Sequence, residues 1–250
     1  KRGEPIYLVK FNTLNQTIEK TVLIDDKQFP TFPRQYYELV LLNNKIYVVC
    51  GKYEEGKYTS DIHVFDTLTE TVTRLPRNGK NIPPDTIRHQ ANLRYNHTTN
   101  SHQIVLSCGY SSSYHNTIYL YDLKLLQWEY VGRSAESKIP AGRMNHTAIY
   151  NPIDDSLIIH GGYSSHHDMW VFYFKTRQWH DLKFDMSRDA QYLNWSNPIG
   201  KENGHRSLLV KNSATQQYHM LVVCTAREKI YSFNLHTMEW TEYVVDTQHQ

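Results

Sequence analysis

No stretch of this 250-residue chain approaches the roughly 18 unbroken apolar residues of a membrane-spanning helix, and its start carries no signal-peptide pattern. Charge of one sign is also missing. The 27 Lys and Arg stand against 25 Asp and Glu, no basic run exceeds two residues, and the net charge is +2. A nucleic-acid-binding surface needs a concentrated basic footprint, so neither nucleic acid nor a membrane is expected as a partner. Cysteine is scarce: the three are Cys50, Cys108 and Cys224. They are too few for a disulfide framework, and an odd set of thiols in apolar runs suits a reducing, cytoplasmic setting. No Gly-x-Ser-x-Gly elbow occurs, and no cysteine lies in an electropositive loop, so nucleophilic catalysis has no visible machinery. A sustained helical period is absent as well. Four Asn-x-Ser/Thr triplets, at Asn15, Asn96, Asn145 and Asn194, are about what chance supplies in so Asn-rich a chain.

What the chain does have is a repeat. Five times an aromatic-bearing strand ends in a turn, and an aromatic or β-branched residue follows at a fixed offset. The copies run Phe11-Asn12 to Ile18, Phe65-Asp66 to Val72, Tyr121-Asp122 to Trp128, Phe172-Tyr173 to Trp179 and Phe233-Asn234 to Trp240. Each closing residue lies six positions after the second residue of its pair, and the copies recur at intervals of about 51 to 61 residues. Periods of this size belong to propeller repeats. Upstream of four copies lies an apolar run ending in small residues: Tyr47 to Gly51, Val105 to Gly109, Leu157 to Gly162 and Leu221 to Thr225. The tracts are short, rich in β-branched and aromatic residues, and bounded by turn formers such as Asn43-Asn44, which reads as a tight hairpin. The fold class is all-β. Strands are expected at 36–42, 45–50, 61–66 and 71–75 in the second unit, and at 144–150, 156–161, 168–174 and 178–182 in the fourth. Where the closing residue is Trp (Trp128, Trp179 and Trp240), it is placed to fill the space between adjacent sheets.

Further upstream stand Arg34, Arg88 and Arg143, the last followed at three residues by His146. At this point the chain resembles the kelch family: Arg-x-x-His, apolar run, Gly-Gly, loop, strand with Asp or Asn, then the six-residue offset to Trp. The unit from Arg143 to Trp179 matches best. The resemblance implies a β-propeller of four-stranded antiparallel blades forming a single domain over 1–250. Four complete blades are expected at 35–77, 88–131, 143–183 and 204–246, with a half blade at 5–24. Kelch rings commonly have six blades, so the resemblance implies a segment of a longer array whose remainder completes the ring.

The blade loops at 52–60, 110–116 and 163–167 should emerge on one face of such a propeller. Two are near duplicates, Gly109-Tyr110-Ser111-Ser112-Ser113-Tyr114-His115 and Gly162-Tyr163-Ser164-Ser165-His166-His167. Tyrosine gives contact area at low entropy cost and serine gives adaptable hydrogen bonds, so Tyr110, Tyr114, Tyr163 and His166 are candidate partner-contacting residues. Tyr192 and Trp195 in the long 183–203 segment join that face. By resemblance Arg34, Arg88 and Arg143 would form a partial ring at the channel mouth, able to grip the carboxylates of an acidic peptide. The alternative for each is a purely structural arginine. His205-Arg206 reads as out of register with them. His166-His167-Asp168 reads as loop plus repeat residue rather than a metal cluster, because adjacent residues rarely converge on one ion. Metal- and copper-radical enzymes share the propeller, but their Glu-x-x-x-Asp-x-x-x-His and crosslinked Tyr–Cys signatures are not found. No cofactor and no catalytic residue is therefore assigned. The function implied is a non-enzymatic interaction module, as in ubiquitin-ligase substrate receptors or cytoskeletal and polarity scaffolds. Two alternatives stay open: an enzyme acting at the channel mouth, sugar-modifying or metal-dependent, and a structural propeller supporting a catalytic domain elsewhere in a longer chain.

Overall fold

A computed structural model describes residues 6–12, 17–24, 34–53, 56–132, 138–163, 168–183, 197–199, 204–224 and 228–244. Strands β1 (Ile6–Asn12) and β2 (Thr17–Ile24) pair as an antiparallel hairpin. Four antiparallel sheets follow, each built as a meander. The first contains β3 (Arg34–Gln35), β4 (Glu38–Leu42), β5 (Lys45–Tyr53), β6 (Tyr58–Asp66) and β7 (Thr71–Arg74). The second contains β8 (Gln90–Asn96), β9 (Ser101–Ser107), β10 (Ile118–Asp122) and β11 (Gln127–Tyr130). In the third are β12 (Thr147–Asn151), β13 (Ser156–His160), β14 (Met169–Tyr173) and β15 (Gln178–Asp181), and in the fourth β16 (Arg206–Lys211), β17 (Tyr218–Cys224), β18 (Lys229–Asn234) and β19 (Trp240–Val244). The innermost strands β4, β8, β12 and β16 stand side by side about a common axis. The protein is an all-β propeller with four blades in a ring.

The first blade departs from the expected strand limits. Its inner strand is split into β3 and β4, both paired to β5, because Tyr36 adopts a left-handed backbone with φ 57° that interrupts the ladder. Strands β5 and β6 run on to Tyr53 and Tyr58, so most of the expected loop at 52–60 is paired sheet.

The sequence repeat has a mechanical cause. Each aromatic pairs directly across the outer hairpin with its closing residue: Phe65 with Val72, Tyr121 with Trp128, Phe172 with Trp179 and Phe233 with Trp240. In the first, second and fourth blades an Asp or Asn between them caps the turn, and the third has Tyr173 there. Asp66 Oδ1 accepts from the amides of Leu68 and Thr69, Asp122 Oδ1 from Lys124 and Leu125, and Asn234 Oδ1 from His236 and Thr237. The turn closes when the fourth amide reaches back to the first carbonyl, as Leu126 does to Asp122 at 2.8 Å.

Three apolar cores lie between successive blades, not within any one sheet. Ile104, Leu106, Tyr121 and Trp128 face Val49, Ile62 and Val64 of the first blade. The alternate residues Val105, Ile118 and Leu120 face Leu157, Ile159, Phe172 and Trp179 of the third. Ile158, Met169 and Val171 then meet Met220, Val222 and Phe233 of the fourth. Period-two side-chain alternation thus lets each central strand feed two cores. Trp128 and Trp179 are 3% and 5% exposed, and each fills an inter-blade space.

The glycine pairs fasten blade to blade. Gly109 has φ +104°, and a Cβ there would lie 2.5 Å from Thr86 Oγ1; its amide donates to the Arg143 carbonyl at 2.9 Å. Gly162 repeats this geometry, with Met144 O 2.9 Å from the position a Cβ would take. The residue before each glycine is also left-handed, and Cys50 and Cys108 fill that slot with φ 53°, where the third blade has Gly161. All three cysteines are buried free thiols.

Candidate functional site

The three arginines do not form a ring at the mouth. Arg143 is 0% exposed: its Nη1 and Nη2 grip Asp168 at 2.7 and 3.0 Å, and Nη1 also donates to the Gly161 carbonyl at 3.0 Å. Arg34, also buried, donates to the carbonyls of Cys50 and Asp61 at 3.2 Å and lies 2.5 Å from His63 Nδ1. Each holds the top of its own blade together, tying the linker to the second and third strands. A guanidinium in such a site binds carbonyls and carboxylates supplied within the fold.

Arg88 belongs to a different position. Tyr36, Arg88, Asn145 and Gly204 all enter their inner strands in the left-handed region, with φ 57°, 55°, 53° and 79°, and so occupy one slot of the repeat. Thr86 is the counterpart of Arg34 and Arg143. The slots are linked by main chain: the Asn145 amide donates to the Arg88 carbonyl and the Gly204 amide to the Asn145 carbonyl, both at 3.0 Å. Arg88 is half-buried and stacks on the Tyr36 ring, its Cζ 4.6 Å from the centroid.

That register also corrects the reading of His205. It stands one residue after Gly204, as His89 follows Arg88 and His146 follows Asn145. All three histidines are buried, and each reaches Nε2 to the preceding blade: His89 to the Val49 carbonyl at 3.2 Å, His146 to Ser107 Oγ at 3.3 Å and His205 to His160 Nδ1 at 2.9 Å. Burial pushes the His89 and His205 pKa values down to about 4, and His146, near Arg143 as well, falls well below its usual range. These rings are neutral inter-blade struts.

The tyrosines do converge. Tyr110 and Tyr114 have ring centroids 5.4 Å apart, and Tyr114 and Tyr163, from the next blade, are 6.0 Å apart. Tyr114 and Tyr163 are 39% and 46% exposed, and Tyr110 is half-buried. The Tyr110 amide and carbonyl exchange bonds of 2.9 and 3.0 Å with Ile87, the neighbour of Arg88, which carries the row on to the stacked pair Arg88–Tyr36. Two groups thus stand on the loop face: Tyr110–Tyr114–Tyr163 across the second and third blades, and the Arg88–Tyr36 stack across the first and second, linked by the main-chain pairing of Ile87 with Tyr110. Tyr37, also exposed, follows Tyr36. His166, Tyr192 and Trp195 lie outside the described residues.

The family model described as the Attractin/LZTR1 beta-propeller matches residues 1–169. The chain belongs to that family. A curated relative, Tip elongation aberrant protein 3 of Schizosaccharomyces pombe (strain 972 / ATCC 24843), is 26% identical over 159 residues. The match takes in 60% of this chain and 11% of that relative, so the chain spans a small part of the relative's length.

In this Attractin/LZTR1-type propeller the kelch pattern is a structural one. Arg143, Asp168, Gly162 and His146 are buttresses, and the residues left free for contact lie between them. Inside these groups, the axis carries a polar pair. Arg206 Nη2 on β16 reaches 3.7 Å from Glu38 Oε1 on β4, and Gln90 Nε2 donates to the same oxygen at 2.9 Å. Burial raises the Glu38 pKa, and Arg206 and Gln90 pull it partly back. Tyr36, Tyr37 and Glu38 are not marked out in the sequence, and Arg206 is set aside there with His205 as out of register. Aligning all four units on the residue before His89, His146 and His205 would have found them. Among the described residues no group of three or more His, Cys, Asp and Glu is placed to hold a metal ion, and no helix is long and apolar enough to cross a membrane.

Proposed function

We propose that this propeller is a protein-interaction module whose loop face, through Tyr36, Arg88, Tyr110, Tyr114 and Tyr163, recognises a partner protein without performing chemistry on it. The observation that carries this reading is the convergence of Tyr110, Tyr114 and Tyr163 from two blades, with the Arg88–Tyr36 stack on the same face and Tyr110 and Tyr163 held by main-chain bonds. A preformed surface orders little on binding, so more of its contact energy appears as affinity. Membership in a propeller family and likeness to a protein named for tip elongation support an interaction role in general. The relative's name is the reason to place a polarity scaffold first, with a ligase receptor as the alternative. The thiols agree with a non-catalytic role: burial pushes Cys108 up to about 12 and raises Cys50 further, so neither is poised as a thiolate. Free thiols in these slots suit the cytoplasm. With Arg34 and Arg143 buried, the acidic contact narrows to a carboxylate near Arg88.

The test is affinity capture from cells with the protein beside two variants. Tyr114→Ser with Tyr163→Ser should abolish capture of specific partners. Leu68→Ser, which alters an exposed leucine in the turn at the opposite end of the blade, should leave capture intact. Equal capture by all three proteins would refute a role for the loop face.

A further inference from the structure

We infer that Asn78 is a site of spontaneous covalent modification, where deamidation converts the asparagine to aspartate and isoaspartate and loosens the junction between the first and second blades. The chain holds two Asn-Gly dipeptides, Asn78-Gly79 and Asn203-Gly204. In such a pair the glycine nitrogen can attack the asparagine side-chain carbonyl, because no Cβ shields it. A bond forms between that nitrogen and Cγ, the Cγ–Nδ2 bond breaks, and ammonia leaves carrying the proton of the attacking amide. Water then opens the cyclic imide at either carbonyl. One opening gives aspartate; the other gives isoaspartate, with the chain rerouted through Cγ. Water is the only co-reactant.

The fold separates the two dipeptides. Asn78 and Gly79 are both exposed, and among the described residues neither the Asn78 side chain nor the Gly79 amide has a hydrogen-bond partner. The Gly204 amide, by contrast, donates to the Asn145 carbonyl at 3.0 Å, which withholds that nitrogen from attack. Gly79 is also confined to glycine by its surroundings. It has φ +125°, and a Cβ there would run into the Trp128 carbonyl, so no larger residue can take its place and slow the reaction.

The modification strikes a staple. The Tyr121 hydroxyl donates to the Pro76 carbonyl and the Trp128 amide to the Asn78 carbonyl, both at 2.8 Å. Tyr121 and Trp128 belong to the apolar core between the first two blades. In isoaspartate the main chain gains an atom between the Cα of this residue and Gly79, and the oxygen held by Trp128 passes to a free carboxylate. Gly79 then loses its close seat against Trp128.

Timed peptide mapping tests this. The protein is incubated at pH 6.5 and pH 8.5, and the acid formed at each asparagine is followed by mass spectrometry. Acid should appear at Asn78 at least tenfold faster than at Asn203, and faster at pH 8.5, where more of the attacking amide is deprotonated. In urea, which releases the Gly204 amide, the two rates should converge. Equal rates in the folded protein, or a slower reaction at Asn78, would overturn the inference. The unfolding midpoint reads the consequence. It should fall as the parent ages and hold in Asn78→Gln, whose longer side chain closes the ring far more slowly. Fresh Asn78→Asp, which adds the charge without the extra main-chain atom, should unfold with fresh parent. A midpoint that falls equally in Asn78→Gln, or that holds in parent protein carrying isoaspartate at this position, would overturn the link to the blade junction.

Discussion

Acidification should unfold this propeller through its buried imidazoles. His63, His89 and His205 are 5%, 0% and 3% exposed, and burial lowers the pKa of each from an ordinary value near 6.5 to about 4. For His63 the Arg34 guanidinium, 2.5 Å away, adds to the effect of burial. Because the folded pKa lies below the unfolded one, the unfolded chain binds more protons between pH 6.5 and 4. The stability these rings allow is therefore complete above pH 6.5 and is lost as pH falls toward 4. At pH 5 one such ring favours the unfolded state by about 2 kcal/mol, and three by about 6 kcal/mol. That is a large share of the roughly 5–15 kcal/mol stability of an ordinary domain. Urea unfolding followed by tryptophan fluorescence at pH 7.5 and pH 5 measures the difference directly. The control is His89→Gln, whose amide can still donate to the Val49 carbonyl but does not titrate. It should recover about 2 kcal/mol of the pH-dependent loss. An identical pH profile for His89→Gln and the parent would refute the neutral-strut account.

Three other substitutions test the architecture. Arg143→Ala leaves the Asp168 carboxylate without its main partner and should destabilise the protein by about 3–5 kcal/mol, whereas Arg88→Ala should change stability by under about 0.5 kcal/mol; thermal unfolding of the two variants separates a buried tie from a surface contact. Trp128→Ala should cost about 3–5 kcal/mol by opening the core between the first two blades, read by the same unfolding assay. Gly109→Ala brings a Cβ to 2.5 Å from Thr86 Oγ1 at φ +104°, and should lower the midpoint of denaturant unfolding without changing its slope.

The architecture was legible because one mechanical unit recurs. A capped turn with its paired aromatic needs Asp122 and Trp128 at a fixed spacing, and that need writes the same spacing into blade after blade. The left-handed residues that close those turns were not legible: Glu70, Leu126, Arg177 and Met238 replace the glycine that would have marked them. The arginines show a different limit. Arg143 and Arg88 look alike in sequence, but Asp168, which pulls Arg143 inward, lies 25 residues downstream. Only the fold brings that carboxylate to it. Arg88 sits two positions later in the repeat, in a slot whose backbone turns its side chain onto Tyr36. The tyrosine loops were recognisable by composition, yet their union into one group depends on Tyr114 reaching the next blade. The struts His89 and His205 are hidden in the sequence because alignment on the arginines puts the third and fifth units out of register.

The central claim is that the loop face, and not the blade sides or the opposite end, makes the functional contact. Hydrogen exchange on the protein alone and with a captured partner tests it most directly. The account predicts new protection at residues 84–90, 108–117 and 142–146. Protection confined to the opposite turns at 97–100 and 123–126, with no change at Tyr110 and Tyr114, would contradict it.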